Sequence, residues 1–269
     1  MKYQPGLPEH NDNVSHEHPL KDFVLILLGL SLAVLVLTWA LGLAVDLVVD
    51  KMSPETEARL SRLVAPAPPA TEPALTSQEA RLQSLVDGMR SCAGMREPVT
   101  VRMAKSKDAN AVVAPGGTVI VYSGLLEHVR SENGMSFVLA HELSHLIHRD
   151  HLRGLGRSLV IVAAATVLTG DGSWTASVLA PAQHLGQAHY SRGRESSADA
   201  RALQILQCRY GHVGGATEFF ESLRKEDEET PAFAHYLASH PSAGARIEAL
   251  QAAIRQAGLR VGEVRPMQQ

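Results

Sequence analysis

The chain reads as an α+β protein that is mainly α: a small β-sheet stands ahead of the first long helix of a soluble domain, and one transmembrane helix precedes that domain. Three observations predict this class. Phe23 to Val45, FVLILLGLSLAVLVLTWALGLAV, runs 23 residues without a charge, and about 20 helical residues suffice to cross a bilayer core. Three short β-type runs follow, PVTVRMA (98–104), NAVVA (110–114) and TVIVYSG (118–124), the last two joined by PGG, which suits a hairpin turn. From Ser131 onward apolar residues recur at helical spacing almost throughout.

Taken in order, residues 1–22 are polar, carry Pro5, Pro8 and Pro19 and lack an apolar period, so they read as a disordered tail. The apolar stretch 23–45 reads as a retained anchor. A cleavable signal peptide fits less well, because the stretch is long, the residues before it carry more acid than base, and no small-x-small site follows before Asp46. Lys2 and Lys21 precede it and Lys51, Arg59 and Arg62 follow, a difference too small to set its orientation. Residues 46–74 divide into a short amphipathic helix, with Ser53 as N-cap before Pro54, and the Pro/Ala-rich spacer APAPPATEPAL (65–75). Residues 75–258 are long enough to form a domain with its own core, and 259–269 read as a C-terminal tail. That domain opens with a helix whose apolar face is Leu82, Leu85, Val86 and Met89, with Ser77 as cap. SLVIVAAATVL (158–168) and WTASVLAPAQHLG (174–186) flank the breaker TGDGS. Each half is too short to span a bilayer, so a helical hairpin packed on the core is expected, with dipping into the membrane face as the alternative.

The net charge is −3 over 269 residues, aromatics are 4%, and acidic and basic residues are interspersed. A nucleic-acid partner is therefore not expected; protein or peptide partners are. Cys92 and Cys208 exclude a cysteine-ligated zinc finger, and leave open one long-range disulfide or two buried thiols.

The segment HELSHLIHRDH (141–151) carries the chemistry. On a helix, His141 and His145 lie about 40° apart around the axis and about 6 Å along it, so both imidazoles can meet one ion. Glu142, on the same helix, can reach a water at that ion and take its proton. Three protein ligands and one open position make a hydrolytic zinc site. The third ligand is expected at Glu195 in RESSADARALQIL. Asp199, one turn on, would accept the free ring N–H of a ligand histidine, and Ala198, Ala202, Leu203, Ile205 and Leu206 would face the core. His148 competes as a ligand but is expected at the helix end, and His151 to be structural or exposed.

HELSH, then ESSAD, then SHPSAGAR (239–246), together with NAVVAPGGTVIVYSGLL (110–126), resemble the membrane-associated zinc metallopeptidases that include HtpX, the CAAX prenyl proteases and the mitochondrial Oma-type protease. The resemblance covers nearly all of residues 75–255. It implies a zincin-like domain that binds one zinc ion through His141, His145 and Glu195, with Glu142 as general base and Asp199 beside a ligand histidine. His240 would approach the cleft, to stabilise the oxyanion or to block the resting site, and Arg246 would anchor its loop; the alternative for His240 is a loop histidine capping the helix after Pro241. The strand at Asn110, Ala111 and Val112 could hold an extended substrate by backbone pairing. One clear anchor, where other members have several spans, points to a tethered soluble protease acting in protein quality control, with the catalytic domain on the periplasmic or envelope side. The alternative is a non-catalytic zinc-binding chaperone, its fourth ligand supplied by His240 or His148.

Overall fold

The computed structural model describes residues 19–64, 76–114, 116–170, 192–225, 240 and 243–267. The spacer 65–75 and the second half of the expected hairpin, 174–186, lie outside the described residues.

Helix α1 spans Pro19–Lys51, so the helix begins inside the stretch read as a tail, and proline is well suited to a first helical turn. It is long and apolar enough to cross a membrane. Phe23, Ile26, Leu28 and Trp39 are each more than 60% exposed. Helix α2 (Pro54–Val64) follows at once, and Ser53 Oγ accepts the N–H of Thr56 at 3.2 Å, as expected of a cap. In helix α3 (Ser77–Ala93) the cap is Thr76, not Ser77: Thr76 and Glu79 form a reciprocal capping box, in which each side chain accepts the other residue's N–H.

The sheet contains β1 (Thr100–Ala104), β2 (Ala111–Ala114) and β3 (Thr118–Tyr122) in the order β1-β3-β2. The predicted hairpin is the antiparallel pair β2–β3, with Ala114 opposite Thr118. Gly116 and Gly117, at φ of 89° and 75°, take the left-handed backbone that the turn requires. β1 pairs with β3 in parallel. The free side of β1 is covered by α3: Glu79 accepts the N–H of Met103, and Gln83 bonds Val99 and Val101. That cover removes one aggregation-prone edge.

Short helix α4 (Leu125–His128) leads to α5 (Glu132–Ile147), which runs through the middle of the domain with every residue from Asn133 to Leu146 buried. Ser131 caps it by accepting the N–H of Gly134 at 2.9 Å. Helix α6 (Asp150–Thr169) follows after a sharp reversal, then α7 (Arg192–Tyr210), α8 (Glu218–Lys225) and α9 (Ala243–Gln256). Met89, Phe137, Leu139, Leu206, Phe219 and Leu250 join α3, α5, α7, α8 and α9 in one core. Ala198, Ala202, Leu203, Ile205 and Leu206 are buried on α7 as its spacing predicted.

Two features depart from the sequence reading, and a third settles a choice it left open. Helix α6 packs along α1: Gly156 sits so close that an added Cβ would stand 2.6 Å from Val45, and Val160 and Ile161 face Leu35 and Trp39 across a groove. An apolar helix finds a matching surface on another apolar helix as readily as on the core, so the hairpin's first half joins the anchor. Residues 259–267 are not a loose tail. Leu259 and Met267 pack on the core, and the segment pairs with 130–132 through Glu132 N–H to Arg265 O (2.8 Å) and Met267 N–H to Arg130 O (2.9 Å). Cys92 and Cys208 form a disulfide that ties the ends of α3 and α7 across 116 residues of chain; closing so long a loop restricts the unfolded chain strongly.

Candidate metal centre

The buried helix α5 brings His141 and His145 to one side, one turn apart, with their Nε2 atoms 3.0 Å from each other. Helix α7 packs across α5 and carries Glu195 in its first turn. Glu195 Oε2 lies 3.5 Å from His141 Nε2, and Oε1 lies 3.2 Å from His145 Nε2. Tetrahedral bonds of about 2.0 to 2.1 Å would set neighbouring donors about 3.3 Å apart, so this set has the size of a small cation's coordination shell. Glu195 Oε1 is buried, and its approach to His145 Nε2 is an ion-pair contact rather than a well-aligned hydrogen bond. A buried carboxylate facing two imidazole nitrogens is suited to share a cation with them.

His240 completes a group of four. One ligand atom each from His141, His145, Glu195 and His240 lies within 4.8 Å of the others, and all four residues are buried. His240 Nδ1 is 2.7 Å from Glu195 Oε2. Burial pulls the His240 pKa down to about 4 despite that carboxylate, which keeps the ring neutral and able to bind a cation. Glu142 is 2% exposed. Burial pushes its carboxyl up from the ordinary value and outweighs the pull of His145 and His141, which favours a group that must accept a proton. Burial also opposes charge on Glu195, but His240, His141 and His145 overcome it and hold the carboxyl well below the usual range.

Each ligand-type histidine has a carboxylate behind it. His141 Nδ1 lies 3.0 Å from Asp199 Oδ1. Arg246 grips that carboxylate with both arms, Nη2 to Oδ1 at 2.5 Å and Nε to Oδ2 at 3.0 Å, and reaches Glu195 Oε2 at 3.2 Å. Its guanidinium carbon lies 4.3 Å from the Phe220 ring centroid, a cation–π contact within the core. His145 Nδ1 lies 2.9 Å from Asp150 Oδ2. Burial lowers the affinity of His145 for a proton, but the bonds to Asp150 and Glu195 prevail and raise its pKa to about 9. Asp150 holds the Nδ1 proton of His145, so a cation that displaces the other ring proton finds Nε2, while His141 Nδ1 lies between Asp199 and Arg246 Nη2, the latter at 3.1 Å.

The structure thus gathers His141, Glu142, His145, Glu195, Asp199, His240 and Arg246 into one buried centre. Ala111 and Val112 lie on β2, the sheet edge packed against α5. Asn110 precedes that strand, and its side-chain oxygen accepts the N–H of Ala111. His148 caps the C-terminus of α5, whereas His151 is only 7% exposed. Sequence reasoning missed Asp150. Its signal was an aspartate five residues after the second histidine, and it becomes meaningful only because Arg149 adopts left-handed backbone, φ 55°, and turns the chain back toward His145. Such a conformation costs a non-glycine residue about 1 to 2 kcal/mol. Here the Arg149 side chain is tied down by Val49 O, Met52 O and Glu57.

Several curated proteins are similar over this region. Metalloendopeptidase OMA1, mitochondrial, of Bos taurus is 30% identical over 172 residues, 58% of this chain and 32% of that protein. Metalloprotease YcaL of Escherichia coli is 34% identical over 137 residues, 48% of this chain and 53% of that protein. Metalloprotease LoiP of Escherichia coli is 31% identical over 137 residues, 49% of this chain and 54% of that protein. The chain therefore spans between about a third and a half of the length of these relatives. The family model for peptidase family M48 matches residues 76–254, which takes in α3, the sheet and every residue of the centre, and on that match the chain belongs to peptidase family M48.

Proposed function

We propose that the chain is a membrane-tethered zinc endopeptidase that cleaves unfolded protein segments. The observation that carries this reading is the buried donor set of His141 Nε2, His145 Nε2 and Glu195, 3.0 to 3.5 Å apart, with Glu142 on the same helix. His141, His145 and Glu195 would hold the metal, and two imidazoles with one carboxylate suit zinc. When bound, zinc supplies Lewis-acid polarisation and makes a water acidic near neutral pH.

The protein's own groups do the remaining work. Glu142 takes the proton of the attacking water and delivers it to the leaving amine. Asp199 and Asp150 hold the two ligand rings by their Nδ1 atoms, and Arg246 keeps Asp199 in register. His240 sits against Glu195 in the resting arrangement; on substrate entry it moves aside and donates to the developing oxyanion. The β2 edge, with Asn110, Ala111 and Val112, offers backbone pairing to an extended chain, a mode that tolerates varied sequence. A disulfide, together with one helix among the described residues that is long and apolar enough to cross a membrane, supports an anchored enzyme whose catalytic domain faces an oxidising envelope compartment.

A second reading is favoured by His240. Four buried donors can close a structural zinc site, and the chain would then be a zinc-bearing chaperone of the same fold. One experiment separates the two: metal content and casein cleavage of the full chain in detergent, with Glu142→Gln and Glu195→Ala. The protease reading expects one zinc per chain and cleavage in the parent, zinc without cleavage in Glu142→Gln, and loss of metal in Glu195→Ala. Zinc without cleavage in the parent favours the chaperone, and no bound metal overturns both.

A further inference from the structure

We propose that Asp46, near the end of the membrane helix, is a positioning residue for the metal centre. The inference rests on the reading of His145 as a metal ligand. The geometry is a relay of charged groups. Asp46 Oδ1 is 3.0 Å from Arg194 Nη2, Arg194 Nε is 3.4 Å from Asp150 Oδ1, and Asp150 Oδ2 is 2.9 Å from His145 Nδ1. Two further guanidiniums converge on the same carboxylate, Arg157 at 2.5 Å and Arg153 at 3.3 Å. Asp46 thereby draws three arginines from α6 and α7 to one point, while Asp50 also balances Arg153 and Asp150 also balances Arg194.

The anchor is fixed against the domain where this happens. Arg149 donates to Val49 O and Met52 O at 3.1 and 2.8 Å, and Gly156 admits Val45 at close range. Arg153 also pairs with Asp50. Without the Asp46 charge, Arg153, Arg157 and Arg194 repel one another. Arg194 then loses its hold on one side, and Asp150, 1% exposed, loses the orientation that fixes the His145 ring. Groups behind a ligand histidine govern both ring angle and basicity, and linked charged hydrogen bonds reinforce each other in a low dielectric. The membrane helix therefore braces the metal site through Arg194 and Asp150 as well as serving as a tether.

The test uses the full chain in detergent. Zinc affinity is measured by chelator competition, and the visible spectrum is recorded with cobalt in place of zinc. Asp46→Asn should weaken zinc by roughly 3- to 10-fold, at or below the low end of what direct partners of ligand histidines contribute, and should shift the cobalt bands. Asp46→Glu should restore both, and Asp50→Asn should match the parent. Arg194→Met should reproduce the loss, with no further loss when Asp46→Asn is added. Parent-like affinity and an unchanged cobalt spectrum in Asp46→Asn overturn the relay, as do additive losses in the double variant. If Asp46→Asn fails to fold, parent-like affinity and spectrum in Arg194→Met overturn it instead. If the parent itself binds neither metal, the metal-site reading fails first and the relay with it.

Discussion

His141 and His145, the two histidines of the proposed metal site, are held by the same device built in two ways. Behind His141, Asp199 is clamped by both arms of Arg246, which lies over Phe220, so this flank is closed within the peptidase domain. Behind His145, Asp150 leans on Arg194 and through it on Asp46 of the membrane helix. The first flank draws on α7, α8 and α9, the second on the start of α6, on Arg194 of α7 and on the anchor. One side of the site is set by domain packing, and the other depends on where the domain meets its tether.

The largest effect should come from the closed flank. Asp199→Asn leaves Arg246, 5% exposed, short of its main charge partner. Breaking a buried pair on one side costs about 3 to 5 kcal/mol, and loss of the carboxylate behind His141 should weaken metal about 10- to 100-fold. Denaturant unfolding and chelator competition read the two quantities. If both match the parent, the closed flank is not structural.

The tether-side flank should respond to pH. Burial lowers the His151 pKa from 6.5 to about 4, with Arg149 and His145 acting in the same direction and Asp150 against it. The unfolded chain therefore binds the His151 proton near pH 6.5, while the folded chain does so only near pH 4. This contribution is intact above pH 6.5 and is lost as pH falls to 4, about 3 kcal/mol in all. In His151→Leu, stability plotted against pH should lose that part of its slope. An unchanged slope would place the ring in contact with water.

Asp150→Asn should cost less than Asp199→Asn, because Arg194 retains Asp46 as a partner. A loss of metal affinity of about 10-fold, with little change in unfolding, would separate the flanks cleanly. Equal losses in both variants would erase the distinction. The smallest effect is a control away from both flanks: Thr76→Ala removes the capping box of α3 and should lower stability by about 1 kcal/mol while leaving metal affinity unchanged.

The difference between the flanks is also a difference in what could be read from the residues. His141, Glu142 and His145 were legible because four-residue spacing on a helix has one geometric meaning, and α5 is a helix buried from Asn133 to Leu146. Glu195 and Asp199 were legible for the same reason, one turn apart on α7. Asp150 was not, because it reaches His145 only after Arg149 takes a positive φ, and arginine carries no mark of that backbone the way glycine would. The cap of α3 was displaced by one residue, from Ser77 to Thr76, because the partner three positions on decides the cap and Glu79 answers Thr76.

By itself the sequence determined the helical class, the apolar anchor, the β2–β3 hairpin and the residue types of the centre, since each depends on a local period or spacing. Tertiary structure alone decided the parallel pairing of β1 with β3, the docking of α6 on the anchor, the arrival of His240 beside Glu195 and the line of charges from Asp46 to His145. Apart from the contact of His145 with Asp150 five residues on, these join residues 18 to 148 positions apart. No periodicity connects such distances; they are set by which apolar faces bury each other and by which buried charges then find partners.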